Sequence, residues 1–213
     1  MDIHPSQGPI HSFKDFVFHL LTVIIGILIA LSLEGLLDWH HHRMLVQEAR
    51  SNLASEIGEN RRRLTKGLAS APDAEKRLKA TIEAIDSYRK NHNDRSSDLD
   101  WSFGLFPLNA TAWSTAASTG AVGYMNYSEV QDYTRVYVVQ EQFLSLQQRT
   151  LEKWLELQKW SVRISPGGGF SKLSNGELSD IEDKASAALI HTQTEESIAG
   201  SLVNEYSKAL KEK

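Results

Sequence analysis

The sequence predicts an all-α protein in which an N-terminal transmembrane helix continues into an elongated antiparallel helical bundle. Three observations carry that prediction. Phe16 to Leu33 reads FVFHLLTVIIGILIALSL, eighteen residues without a charge when His19 is neutral. Downstream, apolar residues recur at intervals of three and four, the period of a helix buried along one face. Only five prolines and thirteen glycines occur in 213 residues, so long stretches lack helix breakers.

Composition narrows the function classes. Charged residues make up 23% of the chain and the net charge is −4, with no basic excess to favour nucleic acid. Cysteine is absent, which excludes disulfides, thiolate zinc sites and a cysteine nucleophile, and suits an exported domain. The length fits one domain plus an anchor. We therefore divide the chain into a short polar leader (1–15), a transmembrane helix (16–37) and an extramembrane helical bundle (38–213).

The span is long enough to cross a hydrocarbon core of about 30 Å at about 1.5 Å per residue. Lys14 marks one membrane interface; Trp39, His40, His41, His42 and Arg43 mark the other, where an indole and cationic groups suit the headgroup region. Ala30-Leu31-Ser32 resembles a signal-peptide cleavage site, but the helical pattern runs straight through it, which indicates an uncleaved anchor. Gly26, Ala30 and Glu34 follow at intervals of four and share one face. Small residues there admit a second membrane helix, so this is a candidate docking face, for another membrane protein or for self-association. The alternative for Glu34 is that it snorkels to the interface. Three consecutive histidines point about 100° apart on a helix and cannot share one metal ion. No metal site and no cofactor is expected.

Beyond the membrane, Leu45, Ala49, Leu53, Ile57, Leu64 and Leu68 form a stripe interrupted at Asn60 or Arg61. Glu59 precedes Arg63 by four, which supports helix, and the arginines 61–63 read as a solvated face. Gly67 to Pro72 is expected to end this helix, and Ser70 to start another with an apolar face of Leu78, Ile82, Ile85 and Tyr88. Arg89 to Asp100 is the main loop, followed by the irregular segment WSFGLFPL. A short, small-residue helix is expected from about Ala110 to Val122 around Trp113, closed by Gly120 and Gly123. Ser128 with Gln131 makes a capping box for a long helix to about Val162, carrying Tyr133, Val136, Tyr137, Phe143, Leu144, Leu151, Trp154, Leu155 and Trp160. Gln140, Gln147 and Gln158 interrupt that face. Ser165 to Gly169 ends the helix and is no phosphate loop, since no Lys-Ser/Thr follows the glycines. Ser174 with Glu177 makes a further capping box, opening a last helix to about Lys211 through Leu178, Ile181, Ala185, Ala188, Ile198, Leu202, Tyr206 and Leu210.

Three long helices of about 31–36 residues would each span about 45–55 Å, packed antiparallel, with the two shorter helices completing a fourth rod.

Three stretches carry a resemblance: IGILIALSLEGLLDWHHHRMLVQEARSNLASEIGENRRRL, ATAWSTAASTGAVGYMNYSEVQDYTRVY and VVQEQFLSLQQ. They resemble a family of small bacterial single-pass membrane proteins of unknown function. The likeness covers roughly Phe13 to Gln148 and implies an N-terminal anchor and a helical remainder. It implies no reaction, ligand or catalytic residue.

The sequence therefore points away from an enzyme. It favours a non-enzymatic accessory or scaffold subunit of a membrane protein assembly, held in the bacterial cytoplasmic membrane, with the lipid bilayer and a membrane protein as partners and no nucleic acid. The alternative is a ligand-sensing bundle with Trp113, Tyr133 and Tyr137 around a cavity, signalling through a partner. Arg43 and Arg50 beside the span favour a cytoplasmic body. The missing cysteines and poorly charged leader favour a periplasmic one, and the balance falls narrowly on the periplasmic side.

Overall fold

The computed structural model describes residues 13–164 and 168–210. In these residues the helices are α1 (Phe13–Asn91), α2 (Thr111–Ser118), α3 (Tyr127–Gln158), α4 (Ser161–Ile164) and α5 (Asn175–Ala209), with 3₁₀ turns at Ser96–Asp98, Ala121–Tyr124 and Phe170–Lys172. No strand occurs among them. The chain is an all-α, multi-helix bundle with one long N-terminal apolar helix. It divides into two compact units, Met1–Glu48 and Ala49–Lys213.

In the first unit, residues 1–12 of the expected leader lie outside the described residues, and Phe13, Lys14 and Asp15 already belong to the first turn of α1. The most apolar eighteen-residue window of α1 has a mean hydropathy of 2.6 and none of it is buried. Its hydroxyls are satisfied inside the helix: Thr22 Oγ1 donates to the Phe18 carbonyl at 2.9 Å and Ser32 Oγ to the Leu28 carbonyl at 2.6 Å. Such back-bonding removes the need for outside partners in an apolar medium.

The second unit corrects the expected break at Gly67–Pro72: α1 continues through it to Asn91. Pro72 withholds its N–H from the Leu68 carbonyl, yet packing on both sides of the proline outweighs that loss. Gly67 serves close approach rather than termination. A Cβ there would lie 2.5 Å from the Phe106 ring, so the missing side chain lets the aromatic sit on the helix. The end of α1 comes at His92, whose φ of 52° gives a left-handed cap while its N–H donates to the Tyr88 carbonyl at 2.9 Å.

Side-chain pairs set the directions of the helices. Arg50 pairs with Glu129, Tyr137 with Glu56 and Asn60 with Gln140, at sequence separations of 79, 81 and 80. A constant separation means that α1 and α3 run parallel, which corrects the expectation of antiparallel neighbours. Along α5 the numbers fall as those of α1 rise: Arg61 meets Ser207, Glu75 meets Gln193 and Arg89 meets Glu182. Thus α5 is antiparallel to α1, and by Tyr206–Gln140 and Thr192–Trp154 also to α3.

Parallel α1 and α3 require a return crossing, and an extended segment supplies it in place of the expected fourth helical rod. Trp101 Nε1 donates to Thr81, Arg77 to the Ser102 carbonyl, Arg63 to the Pro107 carbonyl, and the Ala112 N–H to Glu56. Eleven extended residue steps cover about 36 Å, matching the roughly 37 Å of helix from Glu56 to Thr81.

Most expected faces are buried as predicted: Leu53, Ile57, Leu64, Leu78, Ile85, Phe143, Trp154, Leu178, Ile181, Leu202 and Tyr206 are each at most 1% exposed. Leu155 is a correction at 45% exposed, being one residue past Trp154 and so turned about 100° away. The main cluster joins Leu78, Ile85, Trp101, Trp154, Leu157, Phe170 and Ile181.

Helix ends agree in part. Gly120 has φ 77° after α2, as a closing glycine should. Asn126, not Ser128, precedes α3 and makes no side-chain cap; the expected box is absent because the helix starts before its serine. The long helix stops at Gln158, and α4 is a separate turn. Residues 165–167 and 211–213 lie outside the described residues, so the stop at Ser165 and the extension to Lys211 do too. The Ser174 box is present: Ser174 Oγ accepts from the Glu177 N–H at 3.3 Å and Glu177 Oε2 accepts from the Ser174 N–H at 2.8 Å. Replacing Ser174 with Ala is expected to cost about 1 kcal/mol, read as a melting temperature lower by about 2–4 °C.

Candidate functional site

The expected docking face lies on the exposed part of α1. A Cβ added at Gly26 would meet nothing within 4 Å, and Ala30 and Glu34 are exposed with it. At the expected interface, the Arg43 guanidinium lies over the Trp39 ring, 5.4 Å from its centroid, one helical turn away. The His41 and His42 rings stand 6.1 Å apart and tilted, while His40 is exposed. Among the described residues no group of three His, Cys, Asp or Glu side chains could hold a metal ion.

The aromatics of the sensing alternative lie on α2 and α3. Trp113 stacks on Tyr137 with centroids 5.5 Å apart and planes 14° off parallel. The Tyr137 hydroxyl donates to Glu56 Oε1 at 2.7 Å, and Glu56 Oε2 accepts from the Ala112 N–H at 2.9 Å. One carboxylate from α1 thereby caps α2 and clamps it to α3. Burial, then the Glu56 hydrogen bond, push the Tyr137 hydroxyl far above its ordinary pKa, so it stays a donor. Tyr133 lies farther along α3, its pKa also raised, first by burial and then by Glu129.

A cavity occurs elsewhere in the second unit. It measures about 200 Å³ and is lined from α1 by Leu64, Gly67, Leu68, Asp73, Ala74 and Arg77, from the return segment by Phe103, Gly104 and Phe106, from α3 by Phe143, and from α5 by Thr192, Glu195, Glu196 and Ala199. Most of the lining is apolar; the charged groups are Asp73, Arg77, Glu195 and Glu196. Glu195 is only 6% exposed. Its Oε1 accepts from Gln147 Nε2 at 3.2 Å, while its Oε2 is buried without a hydrogen-bond partner, as are Glu196 Oε1 and Arg77 Nε. Arg77 is engaged in other ways: Nη2 donates to the Ser102 carbonyl at 3.2 Å, Nε forms an ion pair with Asp100 at 3.7 Å, beyond hydrogen-bond reach, and the guanidinium sits over Trp154 at 5.9 Å.

Burial raises the Glu195 carboxyl above its ordinary pKa, against the lowering effect of the Gln147 hydrogen bond and of the nearby Thr150 hydroxyl. Glu196 is raised by burial first and then by the Glu75 charge. Native Glu195 therefore keeps its proton at pH values where the unfolded chain has lost it. Its contribution is fully present below the ordinary carboxylate pKa and is lost as pH rises through the raised one. Glu195→Gln should thus melt higher than the parent near pH 8, with the difference closing toward about pH 4, as thermal scans across pH will read.

Sequence reasoning missed Arg77, Glu195 and Glu196. A signal existed for Glu195: Ala188, Thr192, Glu195, Ala199 and Leu202 follow at spacings of three and four on the buried face of α5, so the carboxyl falls on an apolar stripe. For Arg77 no local signal existed, because its neighbours come from the return segment.

No protein-family model, no curated protein and no solved structure matches the chain.

Proposed function

We propose that this protein is a non-enzymatic, membrane-anchored helical subunit that serves as an accessory or scaffold of a membrane protein assembly. The observation that supports this most strongly is the apolar half of α1. Ile29 and Leu36 are each 64% exposed, within a row of bare apolar side chains that water would penalise by roughly 25 cal/mol per Å². A bilayer removes that penalty, and the internally bonded Thr22 and Ser32 hydroxyls fit the same medium. The resemblance to bacterial single-pass proteins supports the cytoplasmic membrane as the location, and the cysteine-free composition a periplasmic body. Gly26, Ala30 and Glu34 then form the docking face for a second membrane helix, and Lys14, Trp39, His40, His41, His42 and Arg43 hold the ends of the span at the interfaces. The bundle supplies partner surfaces and carries out no reaction of its own.

The test is extraction in mild detergent and identification of what co-migrates. A specific membrane protein should co-purify with the parent and be lost from the Gly26→Leu/Ala30→Leu variant, at unchanged helicity. Recovery of the chain in the supernatant of detergent-free membranes overturns the anchor, and unchanged co-purification overturns the face. Because the chain has no cysteine, Ser201→Cys, at an exposed position of α5, provides a single label site. A membrane-impermeant maleimide should label it in cells whose outer membrane alone is opened, and labelling only after full lysis reverses the orientation.

A further inference from the structure

We propose that the cavity between α1, the return segment and α5 is a binding site for a small organic cation, an ammonium group carried on an apolar body of about benzene size. Three independent features converge on that chemistry. The first is size: about 200 Å³ exceeds the roughly 150 Å³ that accommodates benzene in an engineered protein cavity. The second is the wall, where Leu64, Phe103, Phe106 and Phe143 offer apolar and aromatic surface for an apolar body.

The third is a set of acceptors without donors. Glu195 is more than nine-tenths buried, lines the cavity, and leaves Oε2 unpartnered, as Glu196 leaves Oε1. Buried acceptors of this kind are exceptional in native proteins and costly unless something donates to them. An ammonium brings three donors and a positive charge. Asp73 at the exposed rim adds a third carboxylate. The single guanidinium of the lining, Arg77, already faces Asp100, the Ser102 carbonyl and the Trp154 ring, so the charge balance of the cavity favours a cation over an anion.

The charged groups around Glu195 give the site its pH behaviour. Asp73 and Arg77 of α1 and Glu196 of α5 line the same cavity, Glu75 and Lys79 of α1 act on Glu196, His191 precedes Glu195 by one turn of α5, and α3 contributes the neutral Gln147 and Thr150. With its proton on, Glu195 is a neutral acid. An entering ammonium displaces that proton, so affinity rises as pH rises through the raised carboxyl pKa and levels off above it. The site holds whether or not the apolar part of α1 crosses a bilayer, so its failure leaves the anchor reading intact, and the reverse.

The experiment is titration calorimetry on the full chain in detergent, with benzylamine, benzyl alcohol and benzoate as probes. Benzylamine should bind saturably, at least tenfold more tightly than the neutral or anionic isostere, and more tightly at about pH 8 than at about pH 4, below the ordinary carboxylate range. Glu195→Gln should weaken it at least tenfold while raising neutral-pH stability. Ala199→Leu, which fills the cavity, should abolish binding of every probe at unchanged helicity. If Ala199→Leu misfolds, the Glu195→Gln result decides alone. No saturable benzylamine binding, equal binding of benzyl alcohol, a preference for benzoate, or indifference to Glu195→Gln each overturns the proposal.

Discussion

Trp154→Ala is expected to lower the melting temperature of the bundle by roughly 10 °C, the largest effect of any single replacement described. Trp154 is 1% exposed and stands where four parts of the chain meet. Its ring centroid lies 5.5 Å from that of Phe103 on the return segment, and the Arg77 guanidinium of α1 sits over it. Its indole N–H donates to Thr192 Oγ1 of α5 at 3.2 Å. Truncation loses the transfer free energy of an indole and leaves a cavity that helices cannot fully close, about 3–5 kcal/mol together. At about 2–4 °C per kcal/mol for a domain of this size, a fall of this order follows. Trp154→Phe keeps most of the volume and gives up the Thr192 hydrogen bond, so it should lose well under half as much. Equal melting of the parent and Trp154→Ala would mean that the return segment and α5 do not close on this residue.

Asn60→Leu is expected to cost about 2–3 kcal/mol although it replaces a polar core residue by an apolar one of similar size. Asn60 is completely buried. Its Oδ1 accepts from the Asn109 N–H at 2.9 Å, and its Nδ2 donates to the Asn109 carbonyl at 2.7 Å and to Gln140 Oε1 at 3.1 Å. Two of those partners have substitutes: Gln140 Nε2 also donates to the Asn109 carbonyl at 2.9 Å, and the Tyr206 hydroxyl also donates to Gln140 Oε1 at 2.6 Å. The Asn109 N–H has none among the described residues, so the expected loss is that of the three Asn60 hydrogen bonds, only two of whose partners are satisfied otherwise. Hydrogen exchange should locate it: protection should fall first at Asn109 to Ala112, where the return segment meets α1, before α3 and α5 loosen. Uniform loss across the bundle would contradict this local account. The double variant Asn60→Leu/Gln140→Leu should cost less than the sum of the two singles, since each removes a partner of the other.

The same polar layer shows where sequence reading succeeds and where it stops. Asn60 and Gln140 were visible as interruptions of apolar stripes, and a polar residue on a buried face implies a buried partner. That the partners are each other, with the Asn109 backbone and Tyr206, was not visible, because they are 31 to 146 positions apart and meet only through the packing of three helices. Ser174 and Glu177 were legible as a capping box because both halves of that interaction lie within one turn. Ser128 and Gln131 carry the same local pattern and do not form the box, since Asn126 takes the N-cap position two residues earlier and α3 begins at Tyr127.

What the chain's sequence determines alone is whatever short-range physics decides: the helical class, the apolar run of α1, the buried stripes and the cap of α5. These depend on periodicity, propensity and contacts within about four residues. The tertiary structure decided the continuity of α1 through Gly67 and Pro72, the parallel course of α1 and α3, and the cavity that Arg77, Phe103, Phe143 and Glu195 share. In each case the deciding energy comes from residues distant in sequence. A proline breaks a helix unless packing outweighs the lost bond, and a return segment is extended or helical according to the length it must cover.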